Sequence, residues 1–351
     1  MTILDLEHYS IYVGNIWPSF NEWLDQKDYS STFIIVDENT KQHCLPLLLE
    51  HSNITNYHLI EIQSGETHKN IQSCTQIWQA MMGANADRRA LTINLGGGVI
   101  GDMGGFCAST FKRGMDFIQM PTTLLSQVDA SIGGKLGIDF AEVKNSVGLF
   151  QDPKAVFIQP DFLQTLSPRE IRSGYAELIK HSLIADAEQW TILSALPNLE
   201  GVDWPALISP SLRIKQGVVE ADPFERGWRK VLNFGHTIGH AVESIALSSP
   251  SPLLHGEAIA IGMICELYLS HLYLELALSD VEKITKYLLQ LYGKYELDAK
   301  DDALLALMQQ DKKNEGGAIN FTLIESIGQG KVNLTCTNEH IKEALDFYRQ
   351  Q

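Results

Sequence analysis

The apolar positions of this chain change rhythm near its middle. Short β-branched or aromatic runs stand at 33–36, 58–62, 91–95, 117–120 and 155–158. Between most of them lie stretches with helical periodicity, such as 40–50 and 69–82. That alternation predicts βαβ units around a mostly parallel sheet, with ligands at the carboxyl ends of its strands. At Ser167-Pro168-Arg169-Glu170 the texture changes: a Ser N-cap, a Pro at the first helical position and a Glu at the third form a capping box. From there to about residue 310 the pattern is helical, and a strand pair is expected at 319–325 and 331–334. The expected organisation is therefore an α/β Rossmann-like domain over 1–167 and a mainly helical domain over 168–351. The chain has no internal repeat, and the Ser- and Pro-rich stretch 247–254 reads as a surface loop.

Composition narrows the class. With 351 residues and 39.1 kDa the chain can build two cores. A formal net charge of −16 argues against nucleic acid or an anionic membrane surface as partner, since both need a basic face. A small anionic substrate is allowed if basic residues converge locally. The five cysteines, Cys44, Cys74, Cys107, Cys265 and Cys336, lack CxxC spacing and read as buried thiols in a reducing cytoplasm. Asp5 and Glu7 near the start do not suit a secretory signal. No apolar run is expected to span a membrane, because 259–269 is interrupted near its end by Glu266.

Candidate chemistry lies in three places. The strand at 91–95 runs into Gly96-Gly97-Gly98-Val99-Ile100-Gly101-Asp102 and then a small-residue helix, a context in which glycines admit a pyrophosphate to a helix N-terminus. Asp37, two residues before Asn39, ends an early strand where an acid can hold an adenosine ribose. His236 and His240 lie four apart on one helix face, Leu254-His255-Gly256-Glu257 opens another apolar helix, and Glu177 and Lys180 stand one turn apart in an apolar run. Charge inside apolar helices needs a partner, and a metal held by Glu177 and histidines from the two later segments would supply one. Finally, Arg113, Lys135, Lys144, Lys180, Lys215, Arg229, Lys312 and Lys313 form a basic set in an acidic protein, and the glycine-flanked Lys135 suggests an anion site.

These motifs resemble the 3-dehydroquinate synthase family over nearly the whole chain. The likeness rests on Gly65-Glu66-Thr67-His68-Lys69, the 96–102 loop, 121–129, Gly133-Gly134-Lys135, Lys144-Asn145, Ala176-Glu177-Leu178-Ile179-Lys180, 233–243 and 254–257. The resemblance implies NAD+ and a divalent metal, zinc or cobalt, in an active site in the cleft between the two domains. Glu177, His236 and His255 would ligate the metal, leaving His240 a catalytic hydrogen-bonding group, although spacing alone pairs it with His236. NAD+ would meet Asp37, Asn39, Glu66, Lys69, Gly97, Gly98, Val99, Ile100, Gly101, Asp102, Thr122 and Thr123, with Phe162, Thr165 and Leu166 closing over its nicotinamide half. Asp129, Lys135, Lys144 and Asn145 would lie where cofactor and substrate meet. The substrate set would be Arg113, Lys135, Asn145, Lys180, Lys215, Arg229, Asn233 and His240, joined by Lys312, Lys313 or both.

The reaction implied turns 3-deoxy-arabino-heptulosonate 7-phosphate into 3-dehydroquinate and phosphate. A C5 hydroxyl is oxidised, phosphate leaves after C6 loses a proton, hydride returns, and an intramolecular aldol step closes the ring. The resemblance further implies a cytoplasmic homodimer with no nucleic-acid or membrane partner. Two alternatives stand beside it: another sugar-phosphate cyclase, acting on sedoheptulose 7-phosphate, and a metal-dependent NAD polyol dehydrogenase, which would accumulate NADH and leave the basic set without a role. The chain departs from the family pattern at Asp139-Phe140-Ala141-Glu142-Val143 and at Trp228, neither of which carries assigned chemistry.

Overall fold

Four consecutive apolar residues, Phe33, Ile34, Ile35 and Val36, begin the explanation of the first domain. Side chains alternate across a strand, so Phe33 and Ile35 enter one hydrophobic cluster while Ile34 and Val36 enter another on the opposite face. A continuous apolar run is what a strand covered on both faces requires. The computed structural model describes residues 1–141, 143–247, 249, 251–310 and 319–351. The chain forms two compact units, Met1–Ser167 with Asp203–Gln216, and Pro168–Val202 with Gly217–Gln351.

In the first unit the strands are β1 (Thr2–Asp5), β2 (Ser10–Val13), β3 (Thr32–Asp37), β4 (His58–Ile62), β5 (Leu91–Gly96), β6 (Asp116–Pro121), β7 (Lys135–Phe140), β8 (Val143–Phe150) and β9 (Ala155–Ile158). Among the described residues seven of them make one sheet, in the order β1-β2-β9-β6-β5-β3-β4, parallel except for the β1–β2 pair. The mostly parallel α/β architecture expected from the alternating pattern is present. Two additions were not foreseen: the antiparallel edge hairpin β1–β2, and the separate hairpin β7–β8. The stretch 40–50, expected as one helix, is two, Glu38–His43 and Leu45–His51, parted at Cys44 just before Pro46. Proline lacks an N–H and suits a first turn, so it starts a new helix instead of continuing the old one.

The second unit is mainly helical and, among its described residues, has one antiparallel pair, β10 (Asn320–Ser326) and β11 (Gln329–Thr335). Its central helix, His255–Leu274, has 20 residues, longer than the apolar run seen in the sequence. By length and composition it is apolar enough to cross a membrane, which corrects the expectation that no such run exists. Two thirds of its most apolar stretch is nevertheless buried within the protein. Glu266 within it is fully buried and bonds to backbone N–H groups of a neighbouring helix. Lys312 and Lys313 lie outside the described residues.

Candidate active site

In the first unit the glycine turn joins β5 to the helix Gly98–Thr110, whose N-cap is Gly97. No side chain caps that helix, so its first N–H groups are available to an anion. The Thr122 N–H donates to the Gly96 carbonyl at 3.0 Å, and a Cβ on Gly97 would stand 3.1 Å from the Thr123 methyl, which places both threonines beside the turn. From β6, the Gln119 amide donates to the Gly101 carbonyl at 3.0 Å and ties the helix to the sheet. One turn into the helix, Asp102 accepts from Lys69 Nζ at 2.6 Å, and the same ammonium reaches Asn145 Oδ1 at 2.7 Å. Burial alone would lower the Lys69 pKa, but the charges of Asp102 and Glu66 outweigh it and raise it. Asp129 lies in a π-helical turn, Ser126–Ala130, and accepts from Lys215 Nζ at 2.6 Å. Such turns concentrate at functional sites.

Other members of the expected cofactor set have local roles. The Asp37 carboxylate caps its helix, accepting from the Thr40 N–H at 2.7 Å, while Asn39 is exposed. Phe162 is buried edge-on against Trp17 in the core, while Thr165 is exposed and Leu166 half-buried. Arg113 and Lys135 are exposed, and Lys144 is half-buried.

The second unit brings together Glu177, His236 and His255, one from each of three helices: Pro168–Ala185, His236–Ala246 and His255–Leu274. One ligand atom from each lies within 4.8 Å of the others. His236 Nε2 is 3.6 Å and His255 Nε2 3.5 Å from Glu177 Oε1. His255 comes so close because Gly256 follows it: a Cβ there would stand 2.0 Å from the Ser173 carbonyl, so only glycine lets this helix start against the one carrying Glu177. The Gly256 N–H also donates to Ser173 Oγ at 3.0 Å.

The rings are oriented from behind. His236 Nδ1 lies 3.0 Å from the Phe234 carbonyl, which turns Nε2 towards Glu177. His255 Nδ1 lies 3.4 Å from Glu243 Oε2, the carboxylate–histidine arrangement typical behind a metal ligand. Burial, and then the Lys180 charge, push His236 well below its ordinary pKa, so it stands neutral and able to ligate. Burial also opposes a charge on His255, but hydrogen bonds to Glu177 and Glu243 outweigh it and lift the pKa to about 9. A set of two imidazoles and a carboxylate, with Glu177 and His236 buried and His255 partly so, suits zinc or cobalt by ligand type, and three ligands leave a coordination position open. His240, Glu243 and His255 also converge, but Glu243 meets the His255 nitrogen turned away from Glu177.

Around this centre Lys180 Nζ binds Glu177 Oε2, and the His240 ring lies 5.1 Å from that of His236. Arg229 is buried and donates to the Pro223 carbonyl at 2.6 Å, and Asn233 Nδ2 donates to Glu225 Oε1 at 3.1 Å. Glu225 and Glu243 were not singled out from sequence. Glu243, three residues after His240 and seven after His236, shares their helix face and was legible by spacing. Glu225 lies in a loop with no such signal.

The 3-dehydroquinate synthase N-terminal model matches residues 59–173, and the 3-dehydroquinate synthase C-terminal model matches 174–314. A 3-dehydroquinate synthase of Parabacteroides distasonis is 44% identical over 332 residues, covering 94% of each chain. One from Idiomarina loihiensis is 40% identical over 343 residues, 95% of this chain and 94% of that one. Among solved structures, 2-epi-5-epi-valiolone synthase from Streptomyces hygroscopicus subsp. jinggangensis, with NAD+ and Zn2+ bound, has a TM-score of 0.86 at 25% identity, covering 100% of this chain and 99% of that one. A 2-deoxy-scyllo-inosose synthase shares the fold at a TM-score of 0.81 and 22% identity, covering 99% of each chain. With the family's N- and C-terminal models both matched and a relative 44% identical over 94% of each chain, this chain belongs to the 3-dehydroquinate synthase family.

Proposed function

We propose that this protein converts 3-deoxy-D-arabino-heptulosonate 7-phosphate into 3-dehydroquinate and inorganic phosphate, as a carbon–oxygen lyase of the shikimate pathway that uses NAD+ and zinc or cobalt. The observation that carries this reading is the convergent Glu177–His236–His255 trio, standing inside the segment that matches the family's C-terminal model. NAD+ belongs to the first unit, its pyrophosphate at the uncapped N-terminus of Gly98–Thr110 beside Thr122 and Thr123, with Lys69 and Asp102 one turn further on. Asp37, Asn39, Glu66, Phe162, Thr165 and Leu166 complete that set, and Asp129, Lys135, Lys144 and Asn145 serve both cofactor and substrate. When bound, the metal would polarise a substrate hydroxyl and NAD+ would take and return one hydride.

The remaining work falls to side chains. Lys180, Lys215 and Arg229 are cations held by acids or carbonyls, already ordered for a phosphate or a carboxylate to be received in place. His240, packed edge-on to His236, is free of ligand duty in this reading and hydrogen-bonds the substrate. Arg113, Asn233 and one or both of Lys312 and Lys313 complete the substrate set. The protein acts as a homodimer in the cytoplasm, the location being supported by five free, buried cysteines.

A second reading, cyclisation of sedoheptulose 7-phosphate, is favoured by the full-length likeness to 2-epi-5-epi-valiolone synthase. The two separate when each sugar phosphate is supplied alone and the products are identified by mass and NMR. Phosphate release with a carbocyclic acid from the heptulosonate only is the expected result; a carbocycle from the heptulose only would replace this reading with the second.

A further inference from the structure

A carboxylate in the middle of an apolar helix is costly unless something holds it. Glu266 is fully buried on His255–Leu274, between Cys265 and Leu267. Its Oε2 accepts from the Gly235 N–H at 2.5 Å and its Oε1 from the Ile238 N–H at 3.2 Å. Both donors belong to the start of the helix His236–Ala246, whose N-cap, Gly235, can offer no side chain of its own. Glu266 therefore caps that helix from a neighbouring one, where a negative charge also meets the favourable end of the helix dipole.

The surrounding packing makes this contact a clamp. Gly262 lies one turn before Glu266, and a Cβ there would stand 1.9 Å from the Gly235 carbonyl and 2.7 Å from the Gly239 nitrogen. Gly235 itself has a φ of +80°, which favours glycine. The two helices thus touch backbone to backbone at the point where the carboxylate grips. His236 is the next residue after Gly235, and His255 opens the helix that carries Glu266.

We propose that Glu266 is a positioning residue for the metal centre: by binding the Gly235 and Ile238 amides it fixes the His236 backbone in register with Glu177 and His255. The inference rests on the metal assignment made above. It goes beyond that assignment because Glu266 itself is not among the ligands. Removing its charge should loosen metal binding far more than it loosens the fold.

The test uses the full-length protein and its Glu266→Gln and Glu266→Asp variants, measuring zinc affinity by chelator competition, the visible spectrum with cobalt, and thermal melting without metal. Glutamine offers only one acceptor to two amides, so zinc affinity is expected to fall by ~10-fold or more, the range typical of groups behind a ligand. Its cobalt spectrum should shift while metal-free melting stays close to wild type. Aspartate keeps the charge but falls a methylene short, and an intermediate loss is expected. Unchanged affinity and spectrum in a folded Gln variant would overturn the proposal. Failure of both variants to fold would also overturn it, by making Glu266 a determinant of folding instead of ligand position. A wild-type protein that binds neither zinc nor cobalt would bring down the metal assignment itself.

Discussion

At the scale of single residues the metal centre makes the sharpest predictions. Glu177→Ala removes the only carboxylate of the ligand trio and should lose metal and activity together. His240→Ala should retain metal and lose turnover; metal analysis of the two purified variants checks the split, and equal loss from both would make His240 a ligand. Because Glu243 faces His255 Nδ1, Glu243→Gln should weaken metal binding by ~10–100-fold, measured by chelator competition. Protonation adds a further test. His255 titrates at about 9, above the ordinary value of ~6.5. Without metal, its charged form therefore contributes stability that is fully present below the unfolded value and lost as pH rises through about 9. Metal must displace that proton, so binding at pH 7 should release about one proton per site. Calorimetry in buffers of different ionisation enthalpy measures this, and binding without proton release would contradict the assignment.

At the scale of elements, the opening turn of His255–Leu274 is where packing and site coincide. Gly256→Ala would press a Cβ against the Ser173 carbonyl, and the expected cost is about 1–3 kcal/mol in denaturant unfolding, with weaker metal binding. An unchanged midpoint would mean that the two helices part more easily than their contact suggests. The same turn is held by Glu257, which accepts two hydrogen bonds at 2.7 Å from Arg169 and one at 2.8 Å from the Leu254 N–H. Burial alone would raise the Glu257 pKa, but these bonds outweigh it and lower it. Its contribution to stability is therefore present above the ordinary carboxyl range and lost as pH falls through the lower folded value. Arg169→Gln should accordingly cost stability at neutral pH, and its deficit against wild type should shrink in acid. A deficit that stays constant with pH would show that the pair contributes by packing and not by charge.

Elements also explain what could be read before the structure. Strands β3 to β6 and β9 were legible because β-branched or aromatic residues cluster in them, with helical periodicity between most of them. The β1–β2 hairpin was not, since its short strands mix polar with apolar residues and no stretch of helical periodicity separates them. The β7–β8 hairpin was hidden because Gly133, Gly134, Gly137 and Gly148 read as loop. For the site, glycine and histidine motifs named the residues, but the choice of His236 and His255 over the evenly spaced His236 and His240 came from family likeness. In the structure Glu177 Oε1 lies within 3.6 Å of a ring nitrogen of both.

For the whole molecule, the acidic balance of −16 and an anionic substrate are compatible because basic residues within each unit are ordered locally. Lys69 is held by Asp102, Lys180 by Glu177 and Lys215 by Asp129. The most direct measurement follows phosphate and NADH together in one sample of the protein with zinc, NAD+ and 3-deoxy-D-arabino-heptulosonate 7-phosphate. The account predicts one phosphate per substrate, no accumulating NADH, and loss of turnover on chelation. NADH accumulating on a simple polyol, with no phosphate released from the heptulosonate, would contradict it.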